Sequence, residues 1–414
     1  MLPMGMFQGE LLCKWPPMLP VVKFTLTFRN MQKASMKTSS IPQSLPMPHG
    51  LPIARERLLH AKVSYTPRDI SLELVDTLLI GDDVVPVSGD LVLARVEKLG
   101  QYSRLELASG RRTSLFVGDE IIVCYGNRHA PDQFEAEVPG DLGPCSLVAS
   151  GGIAARIGYC HTNTKMPTLI TPIGLLANSK GKRINLMDAA LPRIIGSSRR
   201  PHTIAMFSTS MNAGKGTAAA ALIRGLIGAD HVVGAAMITG TGSGQDTWLM
   251  TDAGSKLTLD FTHAGFPSTY LTTPAEMDHI LETLTAHLSR AGTDVIIIAV
   301  EDGLFQSETA ALLDSPVFAR MVDSVIFVAG DSMSATAGVK RLQRKGLPVV
   351  AVSGLLTTSP MAIVETAKAT GLPVLHKNEL DSASIVNILN IPARTPLLRS
   401  VTKAAVVSGN QHTL

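Results

Sequence analysis

The sequence predicts an α/β protein in which a doubly wound parallel sheet forms the C-terminal half and a smaller β-rich domain, a barrel or a sandwich, precedes it. After residue 200, continuous apolar runs alternate with helical periodicities, as expected for strands buried on both faces of a parallel sheet. Before residue 200, short alternating runs are separated by Gly-Asp turns, which is typical of small antiparallel sheets. The two patterns therefore predict two different kinds of sheet.

The length of the chain supports more than one domain. It has 414 residues, 45% of them hydrophobic, whereas single cores stop growing near ~250–300 residues. Residues 1–50 are interpreted as a disordered lead-in. Residues 36–50 are rich in Pro, Ser and Met, and residues 1–35 are either a disordered tail or an artefact of an upstream start codon. We expect the β-rich domain and its linker at 51–199 and the α/β domain at 200–414.

In the β-rich part, strands are predicted around Gly89–Val96, Ser103–Leu107 and Gly118–Tyr125, with a hairpin turn at residues 109–112. The following segment, residues 125–135, mixes charged, amide and aromatic groups. Two interpretations fit it: a ligand-facing loop, or a structural loop in which Arg128 pairs with Asp132.

In the α/β part, the predicted strands are Thr203–Phe207, Val232–Ile238, Val295–Val300, Ser324–Ala329 and Pro348–Val352. The predicted helices are Glu276–Ala291, Glu308–Met321, Thr336–Lys345 and Met361–Thr370, the last ended by Gly371. In such a sheet, ligands bind at the carboxyl ends of the strands.

One of those strand ends has the outline of a phosphate-binding loop (P-loop). The apolar run Thr203–Phe207 ends at small residues, the pair Gly214-Lys215 follows, and a helix-forming run begins at Ala218. The backbone of such a loop wraps an anion that the lysine neutralises. The residues expected to bind a phosphorylated cofactor are Ser208, Thr209, Ser210, Asn212, Ala213, Gly214, Lys215, Gly216 and Thr217. The alternative is an ordinary strand-to-helix turn.

The loop departs from the pattern G-x-x-x-x-G-K-[ST] at two positions. Thr209 stands where the first glycine is usual, and Gly216 stands where a hydroxyl residue normally binds Mg²⁺. Thr217 follows one residue late. The sequence therefore does not decide whether this loop contributes a ligand to a metal ion.

Acidic residues follow two other strands. Glu301 and Asp302 end the run Val295–Val300, and Asp246 follows a glycine-rich loop. Because oxygen ligands suit Mg²⁺, Thr217, Asp246 and Glu301 are the expected metal ligands, and Lys215, Glu301 and Asp302 the expected catalytic residues. The alternative is that Asp302 makes a turn and Asp246 caps a helix. Expected substrate contacts are Thr239, Gly240, Thr241, Gly242 and His263, with Asp331 and Ser332 near the base or substrate.

Composition narrows the class of partner. The net charge of +3 and the lack of a long basic run argue against nucleic-acid and membrane-surface binding. No apolar run reaches the ~18–20 residues that span a bilayer. The four cysteines lack CxxC spacing, which favours reduced thiols in a cytoplasmic protein. We expect small-molecule ligands, and a homodimer as the default assembly of this architecture.

With these motifs, residues 200–390 resemble the dethiobiotin-synthetase-like branch of P-loop NTPases, and more specifically a bacterial family of unknown-function domains whose known members include D-glutamate N-acetyltransferases. The resemblance implies that Lys215 contacts phosphate, that Glu301 matches the strand-end glutamate, and that Asp246 is a looser counterpart of the metal-binding acid. The chain departs from the synthetase because neither Ala235 nor Met237 supplies its substrate-activating lysine. Dethiobiotin synthesis itself is therefore not implied.

Three functions are compatible with the sequence. The first is an ATP- and Mg²⁺-dependent synthetase or ligase that activates a small carboxylate or amino substrate. The second is an N-acyltransferase whose loop holds the phosphates of acetyl-CoA, since the related acetyltransferases also lack a hydroxyl residue directly after Gly-Lys. The third is a regulatory protein in which the nucleotide state switches a loop such as Gly240–Asp246.

Overall fold

The structure is a computed structural model that describes residues 50–194 and 200–392, all of which belong to one compact unit. Residues 1–49, which belong to the predicted lead-in, lie outside the described residues. So do residues 195–199, at the end of the predicted β-rich domain and linker. The predicted domain ranges themselves stay predictions.

The described residues up to 194 form a β-rich half. Its elements are β1 (Gly50–Pro52), α1 (Arg55–His60), β2 (Lys62–Val63), β3 (Thr77–Leu79), β4 (Leu91–Lys98), β5 (Arg104–Glu106), β6 (Arg112–Ser114), β7 (Glu120–Tyr125), β8 (Arg128–His129), β9 (Phe134–Glu137), β10 (Cys145–Ala149), β11 (Ile153–Cys160) and β12 (Thr168–Ala177). Short 3₁₀ turns lie at Leu72–Leu74 and Leu186–Ala189.

Five of these strands close into a barrel. The pairing runs β12–β4–β7–β11, and β10 closes the ring because it pairs antiparallel with both β11 and β12. Along β4, Val92 and Ala94 belong to one core and Leu91 and Leu93 to another, so both faces of this strand are buried. Of the two predicted architectures, the barrel therefore describes this half.

The predicted hairpin is present beside the barrel. Strands β5 and β6 pair antiparallel with Leu105 opposite Thr113. Gly110 in the turn has φ 80°, a left-handed conformation that glycine adopts without the steric cost of a Cβ atom. The hairpin predicted from the turn residues is therefore confirmed.

The described residues from 200 onward form the α/β half. Its strands are β13 (His202–Ser208), β14 (Val233–Met237), β15 (Leu257–Asp260), β16 (Val295–Gly303), β17 (Ser324–Val328) and β18 (Val349–Ser353). Its helices are α2 (Lys215–Gly228), α3 (Gln245–Asp252), α4 (Pro274–Arg290), α5 (Ser307–Asp314), α6 (Pro316–Met321), α7 (Ser332–Arg344), α8 (Pro360–Thr370), α9 (Lys377–Leu380) and α10 (Ile385–Ile388).

The sheet of this half has six strands in the order β15-β14-β16-β13-β17-β18, and every pair is parallel. Alternate residues of β13 pack on opposite layers: Ile204 and Met206 lie in the core that includes α2, and Ala205 and Phe207 in the core that includes α4. The protein is thus mixed α/β, with helices on both faces of a parallel sheet. All five predicted strands are confirmed, whereas β15 was not predicted.

Two predicted helices differ from the structure. The single helix Glu308–Met321 is wrong, because the chain breaks at Ser315 and restarts with Pro316, which has no backbone N–H to continue a helix. Helix α7 begins four residues before the predicted Thr336, since Asp331 caps it by accepting a hydrogen bond from the Ser334 N–H at 2.8 Å. The predicted stop at Gly371 is confirmed, with φ 71°.

Among residues 50–194 and 200–392, no helix combines the length and the apolar character needed to cross a bilayer. The three cysteines in this part of the chain, Cys124, Cys145 and Cys160, are free thiols.

Candidate functional site

A cleft of about 680 Å³ lies between the carboxyl edge of the parallel sheet and the wall of the barrel. From the α/β half it is lined by Met211, Asn212, Gly214, Lys215, Gly216, Thr217, Met237, Gly240, Thr241, Ser243, Gln245, Asp246, Leu249, Glu301 and Asp302. From the β-rich half it is lined by Gln101, Tyr102, Ser103, Arg104, Arg112, Arg128, Gln133, Ala149 and Ser150. A volume of this size is typical of small-molecule sites.

The predicted P-loop connects β13 to α2 and forms one wall of the cleft. Gly214, directly before α2, has φ 94°, so the left-handed turn there favours glycine. The Ala213 carbonyl accepts a hydrogen bond from the Leu355 N–H at 3.0 Å, and the Thr209 N–H donates to Val328. The loop is therefore held from behind, and the first N–H groups of α2, which have no acceptor within the helix, lie at the cleft.

Lys215 and Glu301 form an ion pair in the cleft. The Lys215 Nζ lies 2.6 Å from Glu301 Oε1, and the lysine side chain is only 4% exposed. Thr239 orients the glutamate, because its hydroxyl accepts a hydrogen bond from the Glu301 N–H and donates to the Glu301 carbonyl at 3.2 Å. A buried charge pair of this kind contributes little net stability, because the cost of desolvating both groups offsets their attraction.

Asp246 lies beside this pair, against Gly216. Burial raises the pKa of Asp246 to about 6, and the nearby Glu301 charge adds to the rise, whereas Lys215 opposes it. Two neighbouring carboxylates are a donor set suited to a cation such as Mg²⁺. Asp246 and Glu301 therefore fit a Mg²⁺ site that phosphate and water oxygens complete. Within the described ranges, no group of three or more His, Cys, Asp or Glu side chains is arranged to hold a metal by itself.

A side chain at Gly216 would displace the Asp246 carboxylate. A Cβ atom at Gly216 would lie 2.8 Å from Asp246 Oδ1, closer than packed atoms approach. We expect Gly216→Ala to weaken Mg²⁺-dependent ligand binding and to cost about 1–3 kcal/mol of stability through overpacking. Chemical denaturation measures the stability. The matched control is Gly228→Ala at the end of the same helix, where the new Cβ would lie 3.7 Å from Ala383 and stability should not fall.

Asp302 has an unusual backbone conformation. Its φ is 61°, which few residues other than glycine adopt. Burial raises the pKa of Asp302 to about 7 with help from the Glu301 charge, and the charges of Lys215 and Arg128 act in the opposite direction. Asp302 lies within β16, so the interpretation that it merely makes a turn is wrong, and it lines the cleft.

The barrel wall opposite the P-loop is basic. Arg104 and Arg112 are exposed, and Arg128 is 7% exposed. Arg128 does not pair with Asp132, as one interpretation of this loop proposed, but donates from Nη2 to the Gln133 Oε1 at 3.0 Å. None of the three arginines forms an ion pair with another described residue. The wall thus presents positive charge to a ligand in the cleft.

The two halves are joined beside the cleft by Glu106, which is 1% exposed. Its carboxylate accepts hydrogen bonds from the Trp248 indole N–H at 3.0 Å and from the Gly244 N–H at 3.1 Å. On the same side, a Cβ at Gly151 would collide with the Gly242 carbonyl. The glycine-rich loop that follows β14 is therefore fixed against the barrel.

The cleft brings together ten of the predicted site residues: Asn212, Gly214, Lys215, Gly216, Thr217, Gly240, Thr241, Asp246, Glu301 and Asp302. The remaining predicted P-loop residues do not line the cleft: Ser208 and Ala213 are buried, Thr209 is partly buried and Ser210 is exposed. Thr239 supports Glu301, and Gly242 contacts the barrel. His263 lies away from the cleft, where its ring bonds to Asp260 and Arg68. Asp331 caps α7 and lines, with Ser332, a second cavity between α7 and α8.

The sequence did not identify the arginines as one surface, because they come from β5, β6 and β8. The mixed composition of residues 125–135 was the available signal for Arg128. No feature of the sequence indicated that Glu106 would join the two halves, because a single polar residue on a hairpin strand is common.

No protein-family model matches the chain, and a comparison with curated proteins finds no relative. Among solved structures, the chain is similar to the signal recognition particle 54 kDa protein from Aeropyrum pernix K1 in complex with GDP. The two are 17% identical, the match covers 49% of each chain, and the TM-score is 0.34.

Proposed function

We propose that the protein is a P-loop enzyme that binds ATP with Mg²⁺ and activates a small carboxylate or amino substrate in the cleft. The observation that supports this most directly is the buried pair of Lys215 and Glu301 at the carboxyl edge of a parallel sheet, 2.6 Å apart, at the start of α2. A lysine at this point neutralises phosphate charge in P-loop proteins.

The roles of the residues follow from their positions. The Lys215 ammonium and the first N–H groups of α2 bind the phosphates and stabilise charge on the transferred group. Asp246 and Glu301 would hold Mg²⁺, which supplies positive charge against the phosphate oxygens. Asp302 faces the cleft from the same strand end and is available to accept a proton from the second substrate. The arginine wall closes the opposite side.

One observation favours a second function, N-acyl transfer from an acyl-CoA. Gly216 lacks the hydroxyl that normally binds Mg²⁺ after Gly-Lys, and a side chain there would displace the Asp246 carboxylate. In this alternative, the loop holds the phosphates of acetyl-CoA, and no phosphoryl group is transferred.

Thermal stabilisation of the purified protein separates the two functions. At about a hundred times its Kd, a ligand adds ~2.7 kcal/mol to the free energy of unfolding, which is readily measured. We expect stabilisation by ATP that requires Mg²⁺ and is absent with adenosine as the control. Stabilisation by acetyl-CoA without any response to ATP would replace the ATP proposal with acyl transfer, and no response to either ligand would overturn both.

A further inference from the structure

Arg128 is a buried arginine in the wall of the cleft opposite the P-loop. Arg128 is only 7% exposed, and its Nε has no hydrogen-bond partner. Its Nη2 donates to Gln133 Oε1 and its guanidinium lies 5.7 Å from the centre of the Tyr102 ring. Both contacts are with uncharged groups.

A buried guanidinium without a carboxylate partner is unusual, because desolvating a charge is costly unless an opposite charge compensates it. Gln133 cannot compensate it, since its amide oxygen is neutral and also accepts a hydrogen bond from the Tyr102 hydroxyl. The arrangement fixes the orientation of Arg128, whose charge acts on the nearby Asp302 carboxyl but forms no ion pair with it. The fork of N–H groups of an arginine matches the two oxygens of a carboxylate or a phosphate.

We infer that Arg128, held by Gln133 and Tyr102, binds a second anionic oxygen group in the cleft, separate from the phosphates at Lys215. This inference deepens the proposed function and rests on it for assigning the anion to a reactant. Two sources share this chemistry: the carboxylate of a second substrate, and a further phosphate of the ligand that the P-loop binds.

Calorimetric titration of the full chain distinguishes the sources. The probes are succinate in the presence of ATP and Mg²⁺, and inorganic pyrophosphate alone. Since a hydrogen bond to a charged group contributes about 1.5–3 kcal/mol, we expect Arg128→Gln to weaken binding of one probe about tenfold to 150-fold. A loss confined to succinate identifies a carboxylate, and a loss confined to pyrophosphate identifies a further phosphate.

Two variants complete the experiment. Arg156→Gln removes the same charge from an exposed position that pairs with Asp141 outside the cleft, and should change neither titration. Gln133→Glu keeps Arg128 and supplies it with an internal carboxylate, so it should abolish the same binding even if Arg128→Gln fails to fold. If both probes bind Gln133→Glu as they bind the wild type, or if neither probe binds the wild type, the subsite does not exist.

The outcome is separable from that of the proposed function. Should ATP fail to bind while pyrophosphate binding still depends on Arg128, the ATP proposal falls and the subsite stands. Should ATP bind through Lys215 while Arg128→Gln and Gln133→Glu leave both probes unaffected, the subsite falls and the ATP proposal stands.

Discussion

Replacing Lys215 with alanine is expected to remove most of the stabilisation that ATP and Mg²⁺ give the protein. The lysine is the cleft's buried ammonium group at the start of α2, and loss of its charge-assisted hydrogen bond should weaken binding about tenfold to 150-fold. At a concentration that stabilises the wild type by ~2.7 kcal/mol, a hundredfold loss of affinity leaves about 0.4 kcal/mol. Thermal unfolding with and without the ligand measures this difference.

The variant needs a control, because it leaves Glu301 half-buried without its cation. The double variant Lys215→Ala/Glu301→Gln removes that orphan charge and should recover stability without recovering the ligand response. The control variant Lys345→Ala removes a lysine that directly follows α7 and pairs with Asp314 at the end of α5. It should respond to ATP like the wild type. An undiminished response in Lys215→Ala would show that this loop does not bind the phosphates.

The sheet that positions Lys215 was predictable because its strands are continuous apolar runs. A strand that is buried on both faces is apolar at every position, so its sequence shows a continuous apolar run. The runs around Ile204 and Ile297 have this pattern, and both residues lie in the core. Strand β15 escaped prediction because its four residues include the polar pair Thr258 and Asp260, and only its pairing with β14 makes it a strand. The break at Pro316 could have been predicted from the sequence, because proline has no backbone N–H and ends a helix, but the predicted helix Glu308–Met321 ran through it.

For the site, the sequence located what lies next to strand ends and missed what depends on contacts between distant segments. Lys215, Glu301 and Asp246 each follow a recognisable strand or glycine-rich loop, and the cleft brings them together. The proximity of Asp246 to Gly216 has no signal in the sequence, since it depends on how α3 packs on α2. Likewise, the arginine wall exists only because the β-rich half brings the hairpin β5–β6 and strand β8, which are separated in the sequence by β7, to the same side of the cleft.

Replacing Asp260 with alanine is expected to have the largest effect on stability, about 3–5 kcal/mol. Asp260, at the end of β15, is 2% exposed and joins the two halves: its carboxylate accepts a hydrogen bond from the Tyr65 hydroxyl at 2.8 Å and pairs with Arg68 at 3.4 Å. Its removal leaves Arg68, which is only 10% exposed, without that charge. Denaturant unfolding measures the loss.

The same residue predicts a pH dependence. Burial by itself raises the pKa of Asp260, but the Arg68 charge and the hydrogen bonds from His263 and Thr262 outweigh it and hold the pKa well below its ordinary value of about 3.9. A carboxyl whose pKa is lowered in the folded state contributes stability above its unfolded pKa and loses that contribution as the pH falls below it. The difference in unfolding free energy between the wild type and Asp260→Asn should therefore be constant near neutral pH and shrink below about pH 4.

Two further variants separate this network from general effects of mutation. Tyr65→Phe removes only one hydrogen bond to the carboxylate and should cost about 1.5–3 kcal/mol, less than Asp260→Ala. Asp141→Asn breaks an exposed pair with Arg156 and should leave the unfolding midpoint unchanged, because water already screens both charges. If Asp260→Ala cost less than about 1 kcal/mol, or if its effect did not depend on pH, the two halves would be held together by apolar packing rather than by this buried carboxylate.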